Sequence, residues 1–194
     1  MDDPSRTPRL AVLLSGGGRT MLNIHDRILA GTLAANIALV VASRHCTGAD
    51  HAKSRGLHTL VIPGDIPEAT LASLLDAHSI DLVVLAGYLR LLPIPASYEG
   101  RIINIHPSLL PRHGGPGMYG HHVHEAVLRE GDRESGCTVH VCSREYDKGR
   151  IILQRRCPVL AGDTPQTLAA RVFEQELLAM PEAIATMLAE RRRP

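Results

Sequence analysis

The chain has 194 residues, with 21 Lys and Arg against 20 Asp and Glu, and a formal net charge of +1. This length predicts one domain, and 44% hydrophobic residues are enough to fill a single core. A nearly neutral chain argues against nucleic acid or an anionic membrane as the main partner. No apolar run reaches the roughly 18 residues that a membrane span needs, so none is predicted.

Neither the N-terminus nor the cysteines carry a targeting or disulfide signal. Residues 1–8 are polar and contain proline, with no apolar segment behind a basic start. We therefore expect a short disordered arm at 1–8 and a single domain over 9–194. The four cysteines lack both a C-x-x-C spacing and the paired spacing of a zinc site, which is typical of reduced thiols in a cytoplasmic protein.

Apolar runs alternate with amphipathic stretches over the first half of the chain. Helical spacing predicts a helix that starts near Met21, and further helices at 49–55 and 67–78. Strands separated by helices favour a doubly wound, mostly parallel α/β sheet. The short runs rich in Val, Ile and Leu, which predict buried strands, are 10–14, 37–42, 58–62, 81–86 and 102–105.

The pattern changes after residue 130. Segments 137–142 and 151–159 are strand-like and are separated by a glycine-containing turn, which predicts an antiparallel hairpin. A long amphipathic helix is predicted from Pro165 to Arg191. Pro181 should kink this helix, because proline has no N–H and its ring clashes with the preceding turn.

A glycine-rich segment, Ser15-Gly16-Gly17-Gly18-Arg19-Thr20, joins the first strand to the first helix. Free N–H groups at a helix N-terminus attract anions, so this loop predicts a monophosphate site, although a plain turn is the alternative. A dinucleotide fingerprint fits poorly, because Met21 stands at the third glycine position and the second strand has no acidic residue after it. Ser43-Arg44 offers only a weak case for an NADP phosphate.

The fifth strand carries Asn104 and His106 at its carboxyl end. Alternate residues of a strand share a face, so the amide and the imidazole are expected to reach the same point. Both groups donate hydrogen bonds and suit the oxyanion of a tetrahedral intermediate.

With these residues in place, the sequence resembles the formyltransferases that use 10-formyltetrahydrofolate, and among them those that act on glycinamide ribonucleotide in purine biosynthesis. The resemblance covers nearly the whole chain. Its most specific motif is N-x-H-P-S-L-L-P at 104–111. The other matching segments, in order, are 15–18, 84–92, 136–140, 147–154 and 170–172, followed by Glu176.

The resemblance implies a Rossmann-like fold and transfer of a formyl group from the folate to a primary amine, without a metal. Asn104, His106 and Asp147 would be catalytic, with the Asp147 carboxylate favouring a protonated His106. The residues implied to bind substrate are Gly17, Gly18, Arg19, Thr20 and Glu176. Those implied to bind the folate are Leu89, Arg90, Leu91, Leu92, Asn104 and Val141.

The segment 112–122 departs from the common form of the family in its length and in its histidines. We expect it to close over the substrate, with His122 at the position of a family loop histidine. A metal held by His121 and His124, three residues apart, is the alternative. This segment and Arg19 leave open an acceptor other than glycinamide ribonucleotide, such as another small phosphorylated amine or an amino sugar.

Formyltetrahydrofolate hydrolase is the nearest enzyme alternative. About nine residues precede the first strand, so we expect the regulatory domain of that hydrolase to be absent. The length of the chain leaves no room for the C-terminal domain of methionyl-tRNA formyltransferase, which we also expect to be absent. A non-catalytic phosphate-binding module is disfavoured by the joint presence of Asn104, His106 and Asp147. We expect small-molecule substrates, no nucleic-acid or membrane partner, a cytoplasmic location and a monomer or homodimer.

Overall fold

A computed structural model describes residues 6–191 of the chain. The strands are β1 (Arg9–Leu14), β2 (Asn36–Ala42), β3 (Thr59–Val61), β4 (Leu82–Leu85), β5 (Ile102–His106), β6 (Glu134–Val141) and β7 (Ile151–Pro158). The helices are α1 (Arg19–Leu29), α2 (Thr47–Ser54), α3 (Glu68–Ala77), α4 (His121–Arg129) and α5 (Pro165–Arg191), with a short 3-10 turn at Ala96–Tyr98. The strand order is β3-β2-β1-β4-β5-β6-β7.

The chain divides into two compact units, and the first contains residues 1–103 and 184–194. In it, β1 pairs in parallel with β2 and β4, and β2 pairs in parallel with β3. Strands β1 and β4 are buried along nearly their whole length, as expected of parallel strands covered on both faces. Arg6 donates to Asp81 at 2.7 Å and ties the start of the described chain to the residue before β4.

The second unit contains residues 104–183. Strands β6 and β7 are antiparallel, with a register shift between Val139 and His140. Seven of the eight residues of β6 are buried or half-buried, and α5 contributes buried side chains such as Leu168 and Val172. The second unit therefore has buried apolar side chains from both the hairpin and α5.

The predicted fold class is confirmed, since the sheet is mostly parallel with an antiparallel pair near its C-terminal end and a long helix follows. Every predicted strand and helix is present, and no bound moves by more than three residues. Helix α4 was not predicted, because its first turn lies in a segment rich in Gly and His. Pro181 lies inside α5, which continues to Arg191; the kink stays a prediction.

The remaining expectations concern the N-terminal arm, the domain count, membrane spans and the cysteines. Of the arm at 1–8, residues 1–5 lie outside the described residues, and the single domain over 9–194 stays a prediction. Among the described residues, no helix is long and apolar enough to cross a membrane. All four cysteines are free thiols, in agreement with their spacing in the sequence.

Candidate active site

The end of β5 places Asn104 and His106 on one face of the second unit, as the alternation of the strand predicts. His106 is buried and Asn104 is half-buried. The amide nitrogen of Asn104 lies 3.2 Å from Nε2 of His140, a residue of β6. Nδ1 of His140 donates to the carbonyl of Val141 at 3.0 Å, and this contact orients the ring so that Nε2 faces Asn104.

Asp147 completes this group from the turn between β6 and β7. Its Oδ2 lies 3.4 Å from Nδ1 of His106, and its Oδ1 lies 3.4 Å from Nε2 of His140. The backbone N–H of Gly115 donates to Oδ2 at 2.9 Å. The structure therefore brings together the three residues expected to be catalytic, and adds His140 to them.

The pKa values of His106 and Asp147, the two central residues of the site, are both lowered, but for different reasons. Burial lowers the pKa of His106 and outweighs the nearby Asp147 carboxylate, which acts to raise it. The Asp147 carboxylate thus favours a protonated His106, as expected, but burial keeps the pKa of His106 below its ordinary value. Burial acts to raise the pKa of Asp147, but the contacts with His140, His106 and Gly115 together lower it. The pair is a neutral imidazole facing an ionised carboxylate.

The backbone around this pair is strained. His113 has φ of 54° and Asp147 has φ of 56°, in the left-handed region that non-glycine residues rarely occupy. Between them Gly114 has no room for a side chain, because a Cβ would meet Leu110 and would lie 3.3 Å from Cβ of Asp147. Such strain is common where surrounding contacts hold a functional geometry.

The glycine-rich loop occupies the first unit, between β1 and α1. Gly18 has φ of 72° and leads into α1, and a Cβ on it would lie 2.8 Å from Cα of Gly48 in α2. Arg19 and Gly17 are exposed, whereas Thr20 is buried, so the accessible groups are the backbone and the guanidinium. These features suit an anion at the start of α1.

Ser15 links this loop to the segment implied to bind folate. Its hydroxyl lies 2.7 Å from that of Ser43 and accepts the backbone N–H of Leu89 at 3.0 Å. Leu89 and Leu91 are exposed large apolar side chains, whereas Leu92 is buried. Arg90 pairs with Asp65 at 2.8 Å. Exposed leucines beside backbone already held in place suit an apolar ring system.

The remaining implied residues lie in the second unit. Val141 ends β6, where its N–H donates to the carbonyl of Arg150 at 2.9 Å. Glu176 is half-buried on α5, and its charge adds to burial in raising the pKa of Cys137 to about 12.

Sequence reasoning missed His140 and His113 as members of the site. His140 is the last residue of G-C-T-V-H and shares a strand face with Thr138, so alternation could have singled it out. His113 gave no signal, because its contribution is a backbone carbonyl that accepts from Nε2 of His106 at 2.8 Å.

Within residues 6–191, two groups of side chains have the mutual distances of metal ligands. The exposed group is His121, His122 and Glu125, and the other is His113, Glu130 and Asp132. The pairing of His121 with His124 is not supported, because His124 is buried. In the second group the guanidinium of Arg112 lies 2.6 Å from the carboxylate of Asp132, so that carboxylate already has a positively charged partner.

Comparison with known proteins agrees with this geometry. The profile of the formyl transferase family matches residues 8–184. The chain therefore belongs to the formyl transferase family.

Relatives within that family narrow the match. The chloroplastic phosphoribosylglycinamide formyltransferase of Arabidopsis thaliana is 40% identical over 98% of this chain and 70% of its own length. The phosphoribosylglycinamide formyltransferase of Escherichia coli is 36% identical over 91% of this chain and 85% of its own length. The chain also matches the chloroplastic phosphoribosylglycinamide formyltransferase of Vigna unguiculata, and spans 62% of that protein's length.

A solved structure gives the same result for the fold. Glycinamide ribonucleotide transformylase 1 from Symbiobacterium toebii superposes with a TM-score of 0.87 at 36% identity, covering 96% of this chain and 89% of that one.

Proposed function

We propose that this chain transfers the formyl group of 10-formyltetrahydrofolate to the primary amine of glycinamide ribonucleotide. The observation that carries the proposal is the buried group of Asn104, His106, His140 and Asp147, whose geometry suits acyl transfer through an oxyanion. We infer the acceptor from the similarity to phosphoribosylglycinamide formyltransferases, since this geometry by itself suits any formyl acceptor.

The reaction needs one bond to form and one to break. The neutral amine attacks the formyl carbon, and the carbonyl electron pair moves onto oxygen. When the intermediate collapses, the bond between the formyl carbon and N10 breaks, and N10 receives the proton that the amine gives up. Tetrahydrofolate and the formamide product leave, and the balance requires neither a metal nor an oxidant.

The residues of the second unit take distinct roles in this reaction. The amide of Asn104 donates to the developing oxyanion, whereas the Nε2–H of His106 is donated to the carbonyl of His113. A neutral His106 can take the amine's proton at Nδ1, where the Asp147 carboxylate stabilises the resulting imidazolium. His140 holds the amide of Asn104 so that its N–H groups are positioned before the substrate arrives.

Residues of the first unit and two residues of the second unit, Glu176 and Val141, take the proposed binding roles. Backbone N–H groups at Gly17, Gly18 and Thr20, with the guanidinium of Arg19, would hold the phosphate of glycinamide ribonucleotide. Segment 89–92 would bind the folate. Glu176 would approach the amine, and Val141 would contact the folate.

The test is an assay with 10-formyltetrahydrofolate and glycinamide ribonucleotide that follows release of tetrahydrofolate, run with and without the amine. We expect release that depends on the amine. Release without the amine would assign a hydrolase instead. Release only with a different phosphorylated amine or an amino sugar would overturn the acceptor while preserving the reaction class.

The co-substrate, the absence of a metal and the cellular location belong to the same proposed function. Formyltetrahydrofolate serves as co-substrate, and no metal takes part in the transfer. The cytoplasmic location, the monomer or homodimer, and the lack of nucleic-acid or membrane partners stay predictions.

A further inference from the structure

His113 contacts the catalytic histidine through its backbone rather than its side chain. Its carbonyl accepts from Nε2 of His106 at 2.8 Å. A carbonyl oxygen can only accept, so the proton of a neutral His106 resides on Nε2 and the lone pair resides on Nδ1. That is the tautomer in which the His113 carbonyl holds the Nε2–H, and Nδ1, facing Asp147, can accept a proton.

The side chain of His113 anchors that carbonyl. Its Nε2 donates to Oδ2 of Asp132 at 2.7 Å, and the two side chains are 5% and 11% exposed. The anchor matters because His113 has φ of 54°, which costs free energy for a residue with a Cβ. A buried charge-assisted hydrogen bond is strong enough to offset such a cost.

The contacts after His113 reach the second catalytic group. Gly115 lies two residues further along and donates its N–H to Asp147. The segment 113–115 therefore holds both members of the His106–Asp147 pair through main-chain atoms. Arg112 also pairs with Asp132 but is 60% exposed on its side chain, so solvent weakens that contact.

We propose that His113, anchored by Asp132, is a positioning residue that keeps His106 in the Nε2–H tautomer needed for formyl transfer. The inference rests on the proposed function for its kinetic consequence, but the tautomer is a property of the protein alone. Neither residue touches the reacting atoms in this assignment.

The experiment measures the ¹⁵N chemical shifts of the His106 ring, assigned with the His106→Gln variant, together with kcat and KM. In Asp132→Ala we expect mixed tautomers and a kcat lower by about tenfold with KM little changed, because part of the general acid–base contribution is lost. Asp132→Asn can still accept from His113 and should restore the wild-type tautomer. His113→Asn tolerates the left-handed backbone but removes the imidazole anchor, so it should behave as Asp132→Ala.

Two controls isolate the anchor. Glu134→Ala removes an exposed acid that pairs with Arg156, and Arg112→Gln removes the other partner of Asp132; both should match wild type. A wild-type tautomer in both Asp132→Ala and His113→Asn would overturn the proposal, as would an equal loss in Arg112→Gln. If the wild-type protein forms no product, the proposed function fails, while the NMR spectra still decide whether the anchor sets the tautomer.

Discussion

Nδ1 of His106 lies 3.4 Å from Oδ2 of Asp147, and both side chains are almost fully buried. Burial disfavours the imidazolium, so the carboxylate stands ready to stabilise a charge that His106 carries only after it accepts a proton. A buried base that is neutral at rest and gains a counter-ion on protonation suits proton transfer in acyl chemistry.

Replacing the imidazole should remove most of the catalytic rate. His106→Ala loses the group that accepts the amine's proton, so we expect kcat to fall by about 10²–10⁴-fold. The measurement is steady-state release of tetrahydrofolate. His58→Ala, at an exposed histidine of the first unit, is the matched control and should retain activity. Near-normal kcat in His106→Ala would refute the role of this residue.

Removing the charge of Asp147 should shift the titration of His106. The carboxylate acts to raise the pKa of His106, so Asp147→Asn should lower that pKa further. An NMR titration of the His106 ring measures the shift directly, and kcat should fall in the same variant. An unchanged or higher midpoint in Asp147→Asn would contradict the electrostatic coupling.

The glycine-rich loop should tolerate a side chain at one glycine and not at another. Gly18→Ala combines φ of 72° with a contact of 2.8 Å to Gly48, so we expect a loss of about 1–2 kcal/mol in the free energy of unfolding. Gly17→Ala meets no atom within 4 Å and should change stability by less than about 0.5 kcal/mol. Urea denaturation compares the two, and equal stabilities would show that the close approach does not matter.

His124 should make the fold sensitive to acid. Burial and the nearby His106 lower its pKa to about 4, and its Nδ1 has no hydrogen-bond partner among the described residues. The unfolded chain takes up this proton near its ordinary pKa of about 6.5, before the folded chain does. The His124 contribution is thus complete above about pH 6.5 and is lost as the pH falls towards 4, by about 3 kcal/mol.

Chemical denaturation at about pH 7.5 and about pH 4 measures this loss. A His124→Gln variant has no titrating group at this position, so its stability should fall less between the two pH values than that of wild type. Equal falls in the two proteins would assign the acid sensitivity to other groups.

Local patterns sufficed for the elements of the fold. The buried runs of β1, β2 and β4 are short and continuous, as parallel strands covered on both faces require, and alternation placed Asn104 and His106 on one face. The sequence does not predict helix α4, because Gly120 and the histidines after it are typical of a loop. The burial of Val123 and Val127 indicates that tertiary packing stabilises this helix.

The sequence by itself determined the α/β class, the strand that carries Asn104 and His106, and the place of the glycine-rich loop between β1 and α1, because each depends on residues close together in the chain. Only the tertiary structure decided the direction in which the pKa of His106 is shifted, since the balance between burial and Asp147 depends on packing around the pair. The structure alone also revealed the contacts of His140, His113 and Asp132. Those contacts run through ring nitrogens and a backbone carbonyl, and residue type does not encode which atoms meet.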